Sequence, residues 1–297
     1  MHHIQREQTR RLLHSQGIET AIFAHPHSVT WLTGFAAPVL TGPNLFAGAA
    51  PMVLYADNLF TLVVVDAFAE LAAPSGQKDD CIVATYQGYS VDTPIDGPGR
   101  LAAVLSESLP SSIKGRFGLE VADAPAAVAT AFEGRASQKS ISIDGWLLPL
   151  RMLKTQEELD KLRENCRLSD IGQAAARAAV RPGSREIDIW NCAESAIQAA
   201  VGARVPIGND CVVGYRENNI GGWPLDLPVR SGDSVIVDIS VVRSGYWSDS
   251  CATYFADIPT TRQVEIHRVA SEALALGASL LRPGAVAKDI DRALRSF

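Results

Sequence analysis

The sequence predicts an α/β (α+β) protein of two domains, on three observations. The chain has 297 residues, about two domains at the usual size of roughly 150 residues each. Over residues 1–148, short apolar runs alternate with helical patterns, as in a sheet covered by helices. Over residues 149–297, two Ala-rich helical segments each end in Arg-Pro-Gly, with a β-hairpin between them.

The elements follow in order. Residues 5–16 read as a helix with Leu12 and Leu13 turned inward, and Thr20–Ala24 as a short buried strand. Met52–Ala56 and Leu59–Val65 flank Asp57-Asn58 and predict a hairpin with a two-residue turn. A helix near 67–73, a strand at 81–86, a helix at 99–109, a strand at 116–121 and a helix at 124–132 complete a domain with a mixed sheet. It closes near 140–144, and Trp146-Leu147-Leu148-Pro149 reads as a linker. Thr155-Gln156-Glu157-Glu158 fits a capping box, in which the Thr hydroxyl and the Glu carboxylate each accept from a backbone N–H of the other's residue. Leu159, Leu162 and Cys166 recur at helical spacing behind it, and the helix is expected to break and restart before Arg181. Ser184 is expected to cap a second helix ending near Val201, followed by strands at 235–240 and 246–255.

Composition removes several classes of function. There are 27 Lys and Arg against 33 Asp and Glu, a net charge of −6. Such a chain, without a long basic run, is a poor phosphate-neutralising binder, so no nucleic-acid partner is expected. No apolar run approaches the roughly 20 residues of a membrane span, and the first residues are polar, so a cytoplasmic protein is expected. The five cysteines (Cys81, Cys166, Cys192, Cys211 and Cys251) lack a C-x-x-C pair and are expected mostly as small buried hydrophobes.

An internal repeat stands in the second half. Arg181-Pro182-Gly183 follows one Ala-rich helix and precedes another, and Arg282-Pro283-Gly284 repeats that order, with Thr155 and Thr260 or Thr261 as the leading caps. The order predicts a duplicated unit. The first copy runs on to a hairpin ending at Phe255, whereas the second stops at Phe297 inside its helix, so an incomplete second half-repeat is expected.

The hairpin carries the most informative pair, Asp238 and Asp249. With the turn centred between Arg243 and Ser244 the two carboxylates would face each other directly, their Cβ atoms about 5 Å apart, where like charges destabilise a sheet. Three explanations stand: a divalent cation held between them, a shared proton, or a solvent-facing pair in another register. A metal needs further ligands. Between His27 and His267 there is no histidine, and a lone helical His267 reads as a surface or packing residue.

These residues resemble a known family. Leu150–Glu158, Arg181-Pro182-Gly183, Ser231-Gly232-Asp233 before Val237-Asp238, and Gly245–Asp249 are similar to the pita-bread metallopeptidases, which include prolidase, aminopeptidase P, methionine aminopeptidase and the metal-independent creatinase. Gly17–Ile22 and Ser28–Phe35 are similar to the creatinase/prolidase N-terminal domain. The resemblance covers nearly the whole chain. It implies a creatinase/prolidase-like N-terminal domain at 1–148 and an incomplete pita-bread domain at 149–297.

The resemblance also implies a site: two divalent metal ions (Mn, Co or Zn) held by two Asp, a His and two Glu. Asp238 and Asp249 match the two Asp, and Thr253 matches a Thr that supports the second. The His and both Glu have no match, so metal binding by this chain is expected to be weak or absent and no catalytic residue is assigned. Two departures bear on specificity. Gly221, within Asn219–Pro224, stands where the family often has a substrate-contacting His, and Ser250-Cys251-Ala252 lacks the usual Arg. The implied activity is hydrolysis of an Xaa-Pro peptide or a small amide by a homodimer. A creatinase-type hydrolase acting on another C–N bond and a non-catalytic scaffold are the alternatives.

Overall fold

The structure is a computed structural model describing residues 2–38, 48–76, 80–109, 113, 115–135, 139–216 and 221–297. Contacts divide the chain into two units: Met1–Asn165 with Val242–Trp247, and Cys166–Val241 with Ser248–Phe297.

The first unit opens with α1 (His3–Ser15), β1 (Ile18–Phe23) and α2 (Pro26–Thr33). Helix α2 was not legible in the sequence, because Val29, Thr30 and Thr33 are β-branched and weaken helical propensity. It forms because His25 Nδ1 accepts from His27 N–H, Pro26 sits in the first turn, and Gly34 closes the helix at φ 79°. The predicted hairpin follows as β2 (Met52–Ala56) and β3 (Leu59–Val65). Its turn residues Asp57 and Asn58 both have positive φ, as a two-residue hairpin turn requires. Then come α3 (Ala69–Ala72), β4 (Cys81–Tyr86), α4 (Gly97–Glu107), β5 (Arg116–Leu119), α5 (Ala126–Glu133), β6 (Ile141–Ser142) and α6 (Leu148–Met152). The expected linker thus runs into a helix, and Pro149 is tolerated there because the first turn needs no N–H from it.

The six strands form one mixed sheet in the order β4-β3-β2-β1-β5-β6. β1–β2 and β2–β3 pair antiparallel, while β3–β4, β1–β5 and β5–β6 pair parallel. Both faces are buried. Phe23, Val53 and Leu62 pack with Leu13 and Leu32 on one side, and Ile22, Leu54 and Val63 pack with Leu105 and Phe132 on the other. Burial on both faces explains why these strands read as unbroken apolar runs rather than alternating ones.

One buried carboxylate ties this unit together. Glu120 is 2% exposed and accepts from Ala24 N–H at 2.8 Å, His25 N–H at 2.7 Å and Ser28 Oγ at 2.6 Å. Burial raises its pKa, against the pull of these three donors. Glu120→Ala is expected to destabilise the unit by about 2 kcal/mol, the usual penalty for stranding buried donors. A urea midpoint unchanged from wild type would contradict this.

The second half of the chain contains α7 (Gln156–Ala179), α8 (Glu186–Val201), β7 (Ile207–Val213), β8 (Ser234–Arg243), β9 (Tyr246–Trp247), β10 (Ser250–Phe255), α9 (Thr261–Leu280) and α10 (Ala287–Arg295). The capping box forms at α7: Thr155 N–H donates to Glu158 Oε2 at 2.8 Å and Glu158 N–H to Thr155 Oγ1 at 3.3 Å. Three expectations are corrected here. Helix α7 runs unbroken to Ala179, since no proline interrupts it and Gly172 is required by packing: a Cβ there would lie 2.6 Å from Ile197 Cδ1. Its buried face carries Asn165, Leu168, Ser169, Gln173 and Ala176, whereas Leu159 and Cys166 are exposed. Arg185, not Ser184, occupies the N-cap of α8, because the Ser184 hydroxyl donates to Arg181 C=O instead.

The second unit's sheet has the order β10-β8-β7, all antiparallel. Val235, Val237, Ile239 and Val241 form its core face with Leu168, Ile189 and Ile197 of the helices. The duplicated order is visible in the backbone. Gly183 and Gly284 have φ of 89° and 87°, and Ser184 N–H and Ala285 N–H donate to Arg181 C=O and Arg282 C=O at 3.1 and 3.0 Å. Both Arg-Pro-Gly segments therefore make the same turn, with proline at the fixed-φ position and glycine at the positive-φ position. The five cysteines are free, and only Cys81 and Cys211 are buried, which corrects the expectation that most would be.

Candidate metal centre

The polar face of the second sheet opposes its core face. Along β8 the inward residues alternate with Ile236, Asp238 and Ser240, and on β7 Asp210 is the register partner of Asp238. On β10 the partner of Asp238 is Cys251, and Thr253 is that of Ile236. This corrects the predicted register by two residues. The turn is Ser244-Gly245, both at positive φ (55° and 76°), with Arg243 paired to Tyr246. A turn at Arg243-Ser244 would have put the glycine in a strand and an arginine at a positive-φ position.

A two-residue slip keeps every side chain on its face. Asp238 and Asp249 thus remain on one surface, but as diagonal rather than direct neighbours, a relation that leaves Cβ atoms up to about 7–8 Å apart. Ser240 links the two strands: its Oγ donates to Asp249 Oδ1 at 3.3 Å and accepts from Asn209 Nδ2 at 3.1 Å. Asp249 is exposed and Asp238 half-buried. Thr253 is exposed on the same face, and His267 lies outside the cluster, its ring 6.2 Å edge-on from Phe255.

The electrostatics are one-sided. Burial raises the Asp238 pKa, and the Asp249 and Asp210 charges raise it further. The same three acids, after burial, raise the Cys251 thiol. Asp238 Oδ1 is buried and has no hydrogen-bond partner among the described residues. A buried, unpartnered carboxylate oxygen among acids calls for a proton or a cation. The donor set therefore suits a hard divalent cation in chemistry, although among the described residues no group of three or more His, Cys, Asp or Glu is arranged to hold one.

Asp210 escaped the sequence reading. Gly208-Asn209-Asp210, behind a single strand-favouring Ile207, are residue types that strands disfavour, so β7 was not recognised. The signal that could have found it is Cys211-Val212-Val213, an apolar run able to pair with Val235–Val237. Gly221 lies against Asp210: a Cβ on Gly221 would collide with the Asp210 carboxylate. Of the segment noted at the missing histidine, residues 219 and 220 lie outside the described residues. Glu186, at the start of α8, is fully buried. Its carboxylate accepts from Val213 N–H at 2.8 Å, Leu225 N–H at 2.9 Å and Arg216 Nη1 at 3.0 Å, gripping both sides of the 213–225 segment.

The chain thus joins an α/β unit with a mixed sheet to an antiparallel sheet whose apolar face packs on α7 and α8 and whose opposite face carries acids. Comparison with known proteins makes this specific. Residues 5–153 match the Creatinase/Prolidase N-terminal domain and residues 160–297 match Metallopeptidase family M24. An Xaa-Pro dipeptidase of Pyrococcus furiosus is 28% identical over 156 residues, which are 52% of this chain and 44% of that protein. An uncharacterised hydrolase/peptidase of Sinorhizobium fredii is 30% identical over 150 residues, 48% of this chain and 38% of that protein. The aligned stretch thus spans less than half the length of these curated relatives. The prolidase structure from Pyrococcus horikoshii superposes with a TM-score of 0.76 at 18% identity, covering 98% of this chain and 76% of that one. A prolidase from Thermococcus sibiricus gives 0.75 at 18% identity, covering 100% and 77%. The chain belongs to the pita-bread metallopeptidase family with a creatinase/prolidase N-terminal domain. No helix among the described residues is long and apolar enough to cross a membrane.

Proposed function

We propose that this chain contributes the two-aspartate half of a metal site in a hydrolase of Xaa-Pro peptidase type, acting in the cytoplasm as a homodimer on a peptide or small amide. The observation that carries the reading is the buried, unpartnered Oδ1 of Asp238 on one face with Asp249. Asp238 and Asp249 would hold two divalent ions (Mn, Co or Zn), with Thr253 supporting the second aspartate. Once bound, such ions supply polarisation of the scissile carbonyl and activation of a water. The chain's own residues contribute the carboxylates, the Ser240 hydroxyl that orients Asp249, and the β7–β8–β10 frame that fixes their spacing. The His and two Glu that the family adds have no match in residues 1–297, so residues 1–297 by themselves are expected to bind metal weakly.

The test is an assay of purified 1–297 with Gly-Pro and either Mn²⁺ or Co²⁺. No turnover above the metal blank is expected, and appreciable metal-dependent cleavage would show that two aspartates are not merely half a site. Gly221 beside Asp210 supports a second reading, hydrolysis of a different C–N bond, since no histidine stands there to meet a substrate. Assaying the product of the native gene against proline dipeptides and small guanidino amides separates the two readings. A product that cleaves neither and binds no Mn²⁺ would favour a scaffold.

A further inference from the structure

Arg151 carries a charge that nothing in direct contact neutralises among the described residues. Its guanidinium is half-buried and makes no hydrogen bond or ion pair among the described residues. Burial pulls its pKa down, while Tyr246, Glu120 and Glu158 act on it only through space. It lines a cavity of about 230 Å³ within the first unit, together with Lys154, Trp31 and His27. Lys154 likewise has no partner among the described residues. Trp31 is 3% exposed, and its indole Nε1–H is buried without an acceptor among the described residues. A buried indole N–H normally finds one.

The wall contains one carboxylate, Glu158, and its oxygens are engaged. Oε2 accepts from the Thr155 N–H and hydroxyl at 2.8 and 2.9 Å, and Oε1 from the Tyr246 hydroxyl at 3.0 Å. His27 adds no charge, because burial and the nearby Arg151 lower its pKa. The charges open to a ligand on this wall are therefore the Arg151 guanidinium and the Lys154 ammonium. The wall also carries apolar side chains, including Leu148, Met152 and Leu162. Apolar surface with a few charged donors is the pattern of a small-molecule site.

We propose that this cavity binds a small carboxylate with an apolar body. The carboxylate pairs with Arg151, whose planar fork matches two oxygens. Lys154 supplies the second charge, and the apolar body lies against Leu148 and Met152. A monoanion fits better than a phosphate dianion, because the Glu158 carboxylate on the same wall repels the second charge. The volume suits a fragment-sized ligand, since drug-sized pockets begin at about 300 Å³.

The test is calorimetric titration of the chain with phenylacetate, its neutral isostere phenylacetamide, and inorganic phosphate. Saturable phenylacetate binding is expected, with phenylacetamide and phosphate at least tenfold weaker. Arg151→Gln is expected to weaken phenylacetate at least tenfold. Lys154→Met, at an exposed position where folding is not in question, is expected to weaken it at least threefold, with an unchanged circular dichroism spectrum as control. Absence of saturable phenylacetate binding would overturn the proposal. So would equal binding of phenylacetamide, tighter binding of phosphate, or full affinity in folded Arg151→Gln or Lys154→Met.

Discussion

Glu186→Ala is expected to destabilise the second unit by about 3–5 kcal/mol, the range for removing one partner of a buried ion pair. The carboxylate is fully buried and Arg216 is 14% exposed, so the substitution strands a cation that water cannot fully reach. It also strands two backbone donors, Val213 N–H and Leu225 N–H. Glu186→Gln keeps the shape but not the charge, and its amide can accept from only part of this set; an intermediate loss is expected. Asp188→Ala on the same helix removes an acid whose partner Arg185 is on the surface, and no measurable change is expected. Urea unfolding of the three variants reads the comparison directly, and equal losses for Glu186→Ala and Asp188→Ala would refute it. The effect reaches the candidate site because Val213 and Leu225 bracket Gly221, which rests on Asp210.

The first unit was more legible than the second, and the reason is physical. Its strands are buried on both faces, so Met52–Ala56 and Leu59–Val65 stand out as apolar blocks, and Asp57-Asn58 supplies the backbone a tight turn needs. Helix α2 was missed because its β-branched residues hide it and its stability comes from caps and burial. In the second unit the sheet has one apolar and one acidic face. Asp238 and Asp249 were legible as a pair because both interrupt the hairpin, yet their register was not, because Ser244 and Arg243 are equally plausible turn residues until the positive φ at Ser244-Gly245 is seen. Asp210 was invisible for a related reason: a strand opening Ile-Gly-Asn-Asp has the composition of a loop and is held in the sheet by pairing with β8. Sequence could find the two acids sharing a hairpin, and only the tertiary pairing could add the third.

That third acid sharpens what Asp238→Asn should do. In metal-free protein the substitution is expected to stabilise, by about 0.5 kcal/mol, the scale of cross-strand charge effects, and so to raise the melting midpoint by about 2 °C. The sign follows from linkage. Burial, Asp249 and Asp210 raise the Asp238 pKa above its ordinary 3.8. Between 3.8 and the raised value the folded state binds more protons than the unfolded state, so stability falls as pH rises through that window. Wild type and Asp238→Asn should therefore converge at pH below the ordinary value and separate above the raised one, with the variant the more stable. Divalent cation reverses the order. A ligand that binds only the folded state stabilises in proportion to the logarithm of its concentration over Kd, and the amide offers a far poorer ligand than the carboxylate. In Mn²⁺ titrations followed by thermal unfolding, wild type should gain and Asp238→Asn should gain nothing, with an apparent affinity loss on the order of a hundredfold. A variant less stable than wild type without metal would mean that the acids do not repel one another. Equal Mn²⁺ gains in both proteins would mean that the cation binds elsewhere. The two readouts are independent, because the first measures the strain of the acids and the second measures what relieves it.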